Sequence, residues 1–294
     1  MAAAGAAARP RLGAAVRRPR TPGGPGLRPG LPGGAERFGG REAVALRVAL
    51  FTSCAADLVA PGPALAAARV LAATGAEVTV PRAQTCCGQV ALNSGHPAPA
   101  TRLMRHWVAT FEGYDAVVAV SGSCAATVHH RFPRLLTGRW RPRAADVVER
   151  TWEFTQYLAQ YGGGLDLALT GDVTWHDACH MLRSLGERAA PREVLGRVRG
   201  LRLHEAADRE VCCGFGGTFA LTYPEVSCAM ADRKLADGAA TGATHVVSSD
   251  ATCLLHLAGR AERRAVRLRT LHVAELLAAA LPDGPGSLAE VAAA

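Results

Sequence analysis

The chain has 294 residues, 49% of them hydrophobic and 20% charged, which is enough apolar material for one large core or two modest ones and too much for wholesale disorder. Its net charge of +8 is unevenly placed: residues 1–42 hold Arg9, Arg11, Arg17, Arg18, Arg20, Arg28, Arg37 and Arg41 against only Glu36 and Glu42, so this segment is +6 and the other 252 residues are near +2. That distribution argues against a nucleic-acid-binding surface on the folded part, and with no run of 18 apolar residues no transmembrane helix is predicted.

Residues 1–43 form an Ala/Arg/Pro/Gly-rich segment, including TPGGPGLRPGLPGG at Thr21–Gly34, with too few large apolar side chains to offset its ordering entropy. It is predicted to be a disordered tail. Its Arg-rich, acid-poor start resembles a transit peptide or, since no amphipathic period is visible, translated sequence upstream of a start site. The continuous apolar core of a secretory signal is not found there, and a reducing cytoplasmic compartment is expected.

From Val44 the pattern changes. Val44–Thr52 is an apolar run of buried-strand type, and Pro63–Thr74 reads as a helix closed by Gly75. Glu77–Val80 is a second strand, Ala98–Phe111 an amphipathic helix, and Ala116–Val120 a third strand stopping at Ser121. The pattern then recurs: strands at Asp172–Trp175, Leu201–His204 and His245–Ser248, with helices at Pro191–Val198 and Pro224–Gly238. Alternating strands and helices predict an α/β protein with two pseudo-symmetric halves, 44–165 and 166–294. Each is a short, mainly parallel sheet flanked by helices, with its functional groups at the strand ends.

The repeat carries eight of the nine cysteines. Cys54 to Cys179 is 125 residues, Cys86 to Cys212 and Cys87 to Cys213 are each 126, and Cys124 to Cys253 is 129. Each half places one cysteine after a strand, a Cys-Cys-Gly before a helix, and a last cysteine after another strand. Parallel strands deliver their ends to one edge of the sheet, so four thiols from three loops converge, which suits a metal centre. The glycine after each pair permits the sharp bend that two adjacent sulfurs require. Zinc satisfies four thiolates in one tetrahedron, but adjacent cysteines crowd a single ion, and no Cys-x-x-Cys is present. An iron–sulfur cluster offers separate metal corners to neighbouring residues. Redox-active thiols are the third option. Cys228 falls outside the repeat, inside a helical pattern, and is expected to be a buried small apolar residue.

At these residues the chain resembles the cysteine-rich CCG-domain family, which includes the cysteine-rich chain of heterodisulfide reductase, glycolate oxidase iron–sulfur subunits and the lactate utilization A proteins. The resemblance rests on TCCGQVALNSGH (Thr85–His96), SGSCAATVHH (Ser121–His130), HDACHMLRSLG (His176–Gly186) and CCGFGGTFA (Cys212–Ala220), and extends from about Val44 to Leu277. It implies an iron–sulfur electron-transfer subunit of a system oxidising L-lactate to pyruvate, with a [4Fe–4S] cluster in each half. The implied ligands are Cys54, Cys86, Cys87 and Cys124, then Cys179, Cys212, Cys213 and Cys253. It also implies partner lactate utilization proteins, one of them ferredoxin-like. Where the family's five-cysteine version has a further cysteine, this chain has Ser121 and Asp250, and Asp250 could act as an oxygen ligand. A thiol–disulfide reductase of the heterodisulfide type, or oxidation of glycolate or another 2-hydroxy acid, are the alternative functions.

Three histidines are expected close to the sulfurs: His176 and His180 flanking Cys179, and His129 in the segment after Cys124. Asn93–His96 and Arg183 are candidates for holding a small carboxylate. Phe215–Phe219 is read as close-packed backbone beside the second site, and Arg260–Arg269 as a solvated face.

Overall fold

The computed structural model describes residues 45–291. The tail predicted over 1–43 lies outside the described residues. The chain forms two four-stranded sheets in which every pairing is parallel. The first comprises β1 (Arg47–Phe51), β2 (Glu77–Thr79), β3 (Ala116–Ala119) and β4 (Thr151–Glu153) in the order β2-β1-β3-β4. The second comprises β5 (Ala168–Trp175), β6 (Arg199–His204), β7 (His245–Ser248) and β8 (Arg269–His272) in the order β6-β5-β7-β8. The two orders are the same topology, so the repeat in the cysteines is a repeat of the fold.

The central strands are buried on both faces, as parallel strands flanked by helices must be. Val48 and Leu50 of β1 face a core shared by both halves, together with Trp175, Val247 and Leu277. Ala49 and Phe51 face the outer core of the first half, with Trp107, Phe111 and Phe132. The halves dock through equivalent helices. Gly62–Ala73 packs on Val273–Ala279, and its mate Ala189–Gly196 packs on Phe154–Tyr161. The helix Gly122–Leu135 packs on the turn His180–Leu185, and its mate Ala251–Arg264 packs on Cys54–Val59. Reciprocal contacts of this kind define a pseudo-twofold axis between the halves.

The edge strands β4 and β8 run directly into helices, and each last strand residue caps the helix that follows. Glu153 accepts from the backbone N–H groups of Thr155 (2.7 Å) and Gln156 (3.3 Å), and the Gln156 amide oxygen accepts from Glu153 N–H (3.2 Å). His272 Nδ1 accepts from Ala274 N–H (3.1 Å), while the Glu275 carboxylate accepts from His272 N–H (3.1 Å). Both are capping boxes, which satisfy otherwise orphaned first-turn N–H groups.

His272 is fully buried, and burial pushes its ring down to about 4 from the usual 6.5. The folded chain therefore holds it neutral where the unfolded chain protonates it. Its contribution is complete above pH 6.5 and is lost as pH falls from 6.5 towards 4, on the order of 3 kcal/mol in all. His272→Asn keeps a capping acceptor without a titrating ring. Urea unfolding at pH 7.5 and pH 4.5 should show a smaller acid loss in the variant than in the parent, and equal losses would refute this role.

Candidate functional site

In each sheet the strand order reverses between the two central strands, β1 and β3 in one and β5 and β7 in the other. The crevice beyond the carboxyl ends of such a pair is where open α/β sheets bind ligands. Cys54 opens the short helix after β1, and Cys124 lies in the first turn of the helix after β3. Cys179 follows β5 and Cys253 lies in the first turn after β7. The Cys-Cys-Gly loops close each crevice from the side. Gly88 and Gly214 both take φ 90, and an added Cβ would meet the Ala100 carbonyl at 3.0 Å or the Ser227 carbonyl at 2.5 Å. Glycine is required there both for its conformation and for the close approach.

The eight repeat cysteines come together as two foursomes. Cys87 Sγ lies 3.6 Å from Cys124 Sγ. Cys86 contacts both Cys54 and Cys87, and Cys212 contacts both Cys179 and Cys213, which in turn meets Cys253. All nine cysteines are free thiols. Within each foursome the same member favours the thiolate. Cys86 is pulled down by the thiol of Cys54, then by that of Cys87 and by backbone N–H donors, against the opposing effect of burial. Cys212 is pulled down in the same way by Cys179 and Cys213. The N–H of Gly88 reaches Cys86 Sγ at 3.3 Å and that of Gly214 reaches Cys212 Sγ at 3.4 Å. Cys54 and Cys179 are pushed up because each donates to that thiolate and is partly buried. A metal centre binds thiolates, so this pattern favours that form in advance at Cys86 and Cys212, and in the first half at Cys124 as well.

Both foursomes open into a single cavity of about 420 Å³. Ser53, Ser121, Ser123, Asp250 and the loop Phe215–Thr218 share its lining, so the segment expected to be close-packed backbone forms part of the wall. Asp250 is almost fully buried in this lining. Its Oδ1 accepts from the hydroxyls of Ser121 (2.7 Å) and Ser123 (2.8 Å) and from Ser123 N–H (3.3 Å), while Oδ2 is buried without a partner. Ser121 and Asp250 are 129 residues apart, the repeat offset of Cys124 and Cys253. A residue touches its own repeat mate only at the symmetry axis, so this pair marks the axis and holds the two sites together.

The other candidates separate. His180 Nδ1 lies 3.6 Å from Cys179 Sγ and lines the cavity. His176 is fully buried, and a ring nitrogen of it lies within 4.8 Å of the sulfurs of Cys213 and Cys253. His129 instead turns its Nε2 to the Thr151 carbonyl at 2.9 Å, because the helical turn from Cys124 carries it round to β4. Arg183 lines a neighbouring hollow of about 290 Å³ with Arg131, Arg134 and His130, and its guanidinium donates to the Glu210 carbonyl at 2.9 Å. Asn93 lines both spaces. Cys228 is half-buried in the helix Pro224–Ala240, beside a shallow hollow with Asp232 and Arg260, which corrects the expectation of full burial. In the basic stretch, Arg260 and Arg264 both pair with Asp232. Sequence reasoning missed Ser53, whose φ of 67 is unusual for a residue with a side chain and whose hydroxyl helps hold the Cys124 thiol low, after the larger effect of Cys87.

Comparison with known proteins finds the same division into two halves. The cysteine-rich domain family designated CCG matches twice, at residues 48–129 and 173–258, one match to each half. Lactate utilization protein A 1 of Bacillus cereus (strain AH820) is 39% identical over 236 residues, covering 79% of this chain and 98% of its own length. Lactate utilization protein A of Bacillus cytotoxicus matches with the same identity and coverage. Among solved structures, glutamate racemase isoform RacE1 of Bacillus anthracis superposes with a TM-score of 0.33 and 11% identity over 83% of this chain and 86% of its own, too slight a likeness to carry an argument. With a domain match in each half and relatives aligned over nearly their whole length, the chain belongs to the cysteine-rich CCG-domain family, among the lactate utilization A proteins.

Proposed function

We infer that the chain is an iron–sulfur electron-transfer subunit of a system that oxidises L-lactate to pyruvate. The observation that carries this reading is the convergence of two free-thiol foursomes, each drawn from three loops at a sheet switch point, on one cavity. The donor set fits a [4Fe–4S] cluster in each half: Cys54, Cys86, Cys87 and Cys124 would hold one, and Cys179, Cys212, Cys213 and Cys253 the other. Such a cluster supplies reversible one-electron transfer when bound. The protein's part is to present the thiolates, to donate the Gly88 and Gly214 N–H groups to sulfur, and to limit access of water through burial of Cys87, Cys124 and Cys213.

The names of the relatives support lactate as the substrate of the system. The cavity's own charge is acidic, from Asp250 and the thiolates, and the guanidinium nominated for a carboxylate faces the adjacent hollow. A redox subunit working in the cytoplasm with other lactate utilization proteins, including a ferredoxin-like one, fits this better than a chain that oxidises lactate alone. Free thiols throughout also accord with a reducing compartment.

Anaerobically purified full-length chain should be brown, bleach on addition of dithionite and recover its colour on reoxidation. Colourless protein whose thiols cycle with a dithiol reductant would overturn this reading in favour of thiol–disulfide chemistry.

A further inference from the structure

The halves repeat their cysteines but not the surface beneath them. The buried face of the helix Pro97–Phe111 is Ala100, Met104, Trp107, Val108 and Phe111. That of Pro224–Ala240 is Ser227, Ala231, Lys234, Leu235 and Gly238, each 127 residues further on. Likewise Phe51, three residues before Cys54, matches His176, three before Cys179. In the first half these positions build a dry aromatic wall: Phe51 lies 5.6 Å from Trp107 and 5.5 Å from Phe111, ring centre to ring centre.

In the second half His176 stands for Phe51, Lys234 for Trp107 and Gly238 for Phe111, so two of the three wall positions are polar and the third has no side chain. His176 has no hydrogen-bond partner at either ring nitrogen, although it is wholly buried beside the sulfurs of Cys213 and Cys253. Lys234 is 4% exposed, and its ammonium donates to the carbonyls of Asp208 (3.1 Å) and Arg209 (2.8 Å). Those hydrogen-bond partners are neutral, and the charges acting on the ammonium are Asp237 and Asp177, then Cys213, then Asp208. The charged groups acting on the first-half thiols are one another and, at Cys124, Asp250, which acts on Cys179 of the second half as well, so Lys234 is the cation that only the second half has.

We propose that the two centres are unequal by construction, and that the second, bedded on His176 and Lys234, holds the electron when the pair shares one. The inference rests on the reading that both foursomes carry iron–sulfur clusters. One electron given to the chain leaves the first centre oxidised and the second reduced. Reduction adds a negative charge to a buried site. A buried cation and an N–H donor to sulfur stabilise that charge, whereas an aromatic wall only removes water from it. His176 also gains the partner it otherwise lacks, since a buried ring nitrogen without one is costly.

The test is a dithionite titration of the full chain followed by electron paramagnetic resonance, alongside iron analysis. Two separate midpoint potentials are expected. Cys87→Ser, which spares the second centre, should retain the higher one. Lys234→Met and His176→Phe should each shift the higher midpoint down towards the lower with iron content unchanged, and Lys234→Arg should restore it. Coincident midpoints, or a Cys87→Ser chain that keeps only the lower, would overturn the assignment while leaving the iron–sulfur reading intact. A chain purified without iron would remove both.

Discussion

Cys87→Ser is expected to reduce bound iron from about eight atoms per chain to about four, and Cys213→Ser to do the same from the other side. Neither variant should restore growth on lactate to a strain lacking its lactate utilization protein A. Both residues are buried, and Cys87 meets Cys124 as Cys213 meets Cys253. The surviving half is an internal control, because a chain that failed to fold would lose all its iron and not half. Cys228→Ser should leave iron unchanged, since its sulfur lies on a different hollow. Asp250→Asn keeps the oxygen that Ser121 and Ser123 bond and removes only the charge, so four cysteines per half predict unchanged iron there as well. Iron lost from Asp250→Asn would make the unpartnered Oδ2 a ligand, and iron lost from Cys228→Ser would contradict the ligand set.

Trp107→Ala should destabilise the chain by about 3–5 kcal/mol, the range for removing a large aromatic side chain from a packed core. Trp107 is fully buried, with ring centres 4.5 Å from Phe111 and 5.2 Å from Phe132. Removing it takes away the wall behind Phe51 and leaves a void that β1 and the helix Gly122–Leu135 cannot both close. Urea unfolding of the purified variant measures the loss, and a change under about 1 kcal/mol, well below the range for such a truncation, would show that the first site does not depend on this wall.

The parts of the fold legible in the sequence are those where burial imposes a composition. β1, β3 and β7 lie between two cores, so they read as short apolar runs, and Gly75 with φ 84 ends its helix as a C-terminal glycine should. β4 and β8 are not legible. Each is an edge strand of three or four residues whose last member, Glu153 or His272, already belongs to the next helix as its cap. The helix Gly122–Leu135 is hidden for a related reason, since Ser-Gly-Ser reads as a loop until Ser121 Oγ is seen accepting from Cys124 N–H.

The site divides in the same manner. Spacing alone groups the cysteines, because their positions along the chain repeat with the strands. The merging of both foursomes in one cavity, and the meeting of Ser121 with Asp250 on the axis, depend on how the halves dock. The periodicity of either half says nothing about that. The bond of His129 Nε2 to the Thr151 carbonyl is likewise not legible, because nearness in sequence to Cys124 does not fix the direction of a helical side chain.

The central claim is that each foursome holds an iron–sulfur cluster. Mössbauer spectroscopy of anaerobically purified, iron-57-enriched chain, with chemical analysis of iron and acid-labile sulfide, tests it most directly. About eight irons and eight sulfides per chain in two cubane environments are predicted. Stoichiometric zinc in their place, or a metal-free chain with Cys86 and Cys87 oxidised to a disulfide, would contradict it.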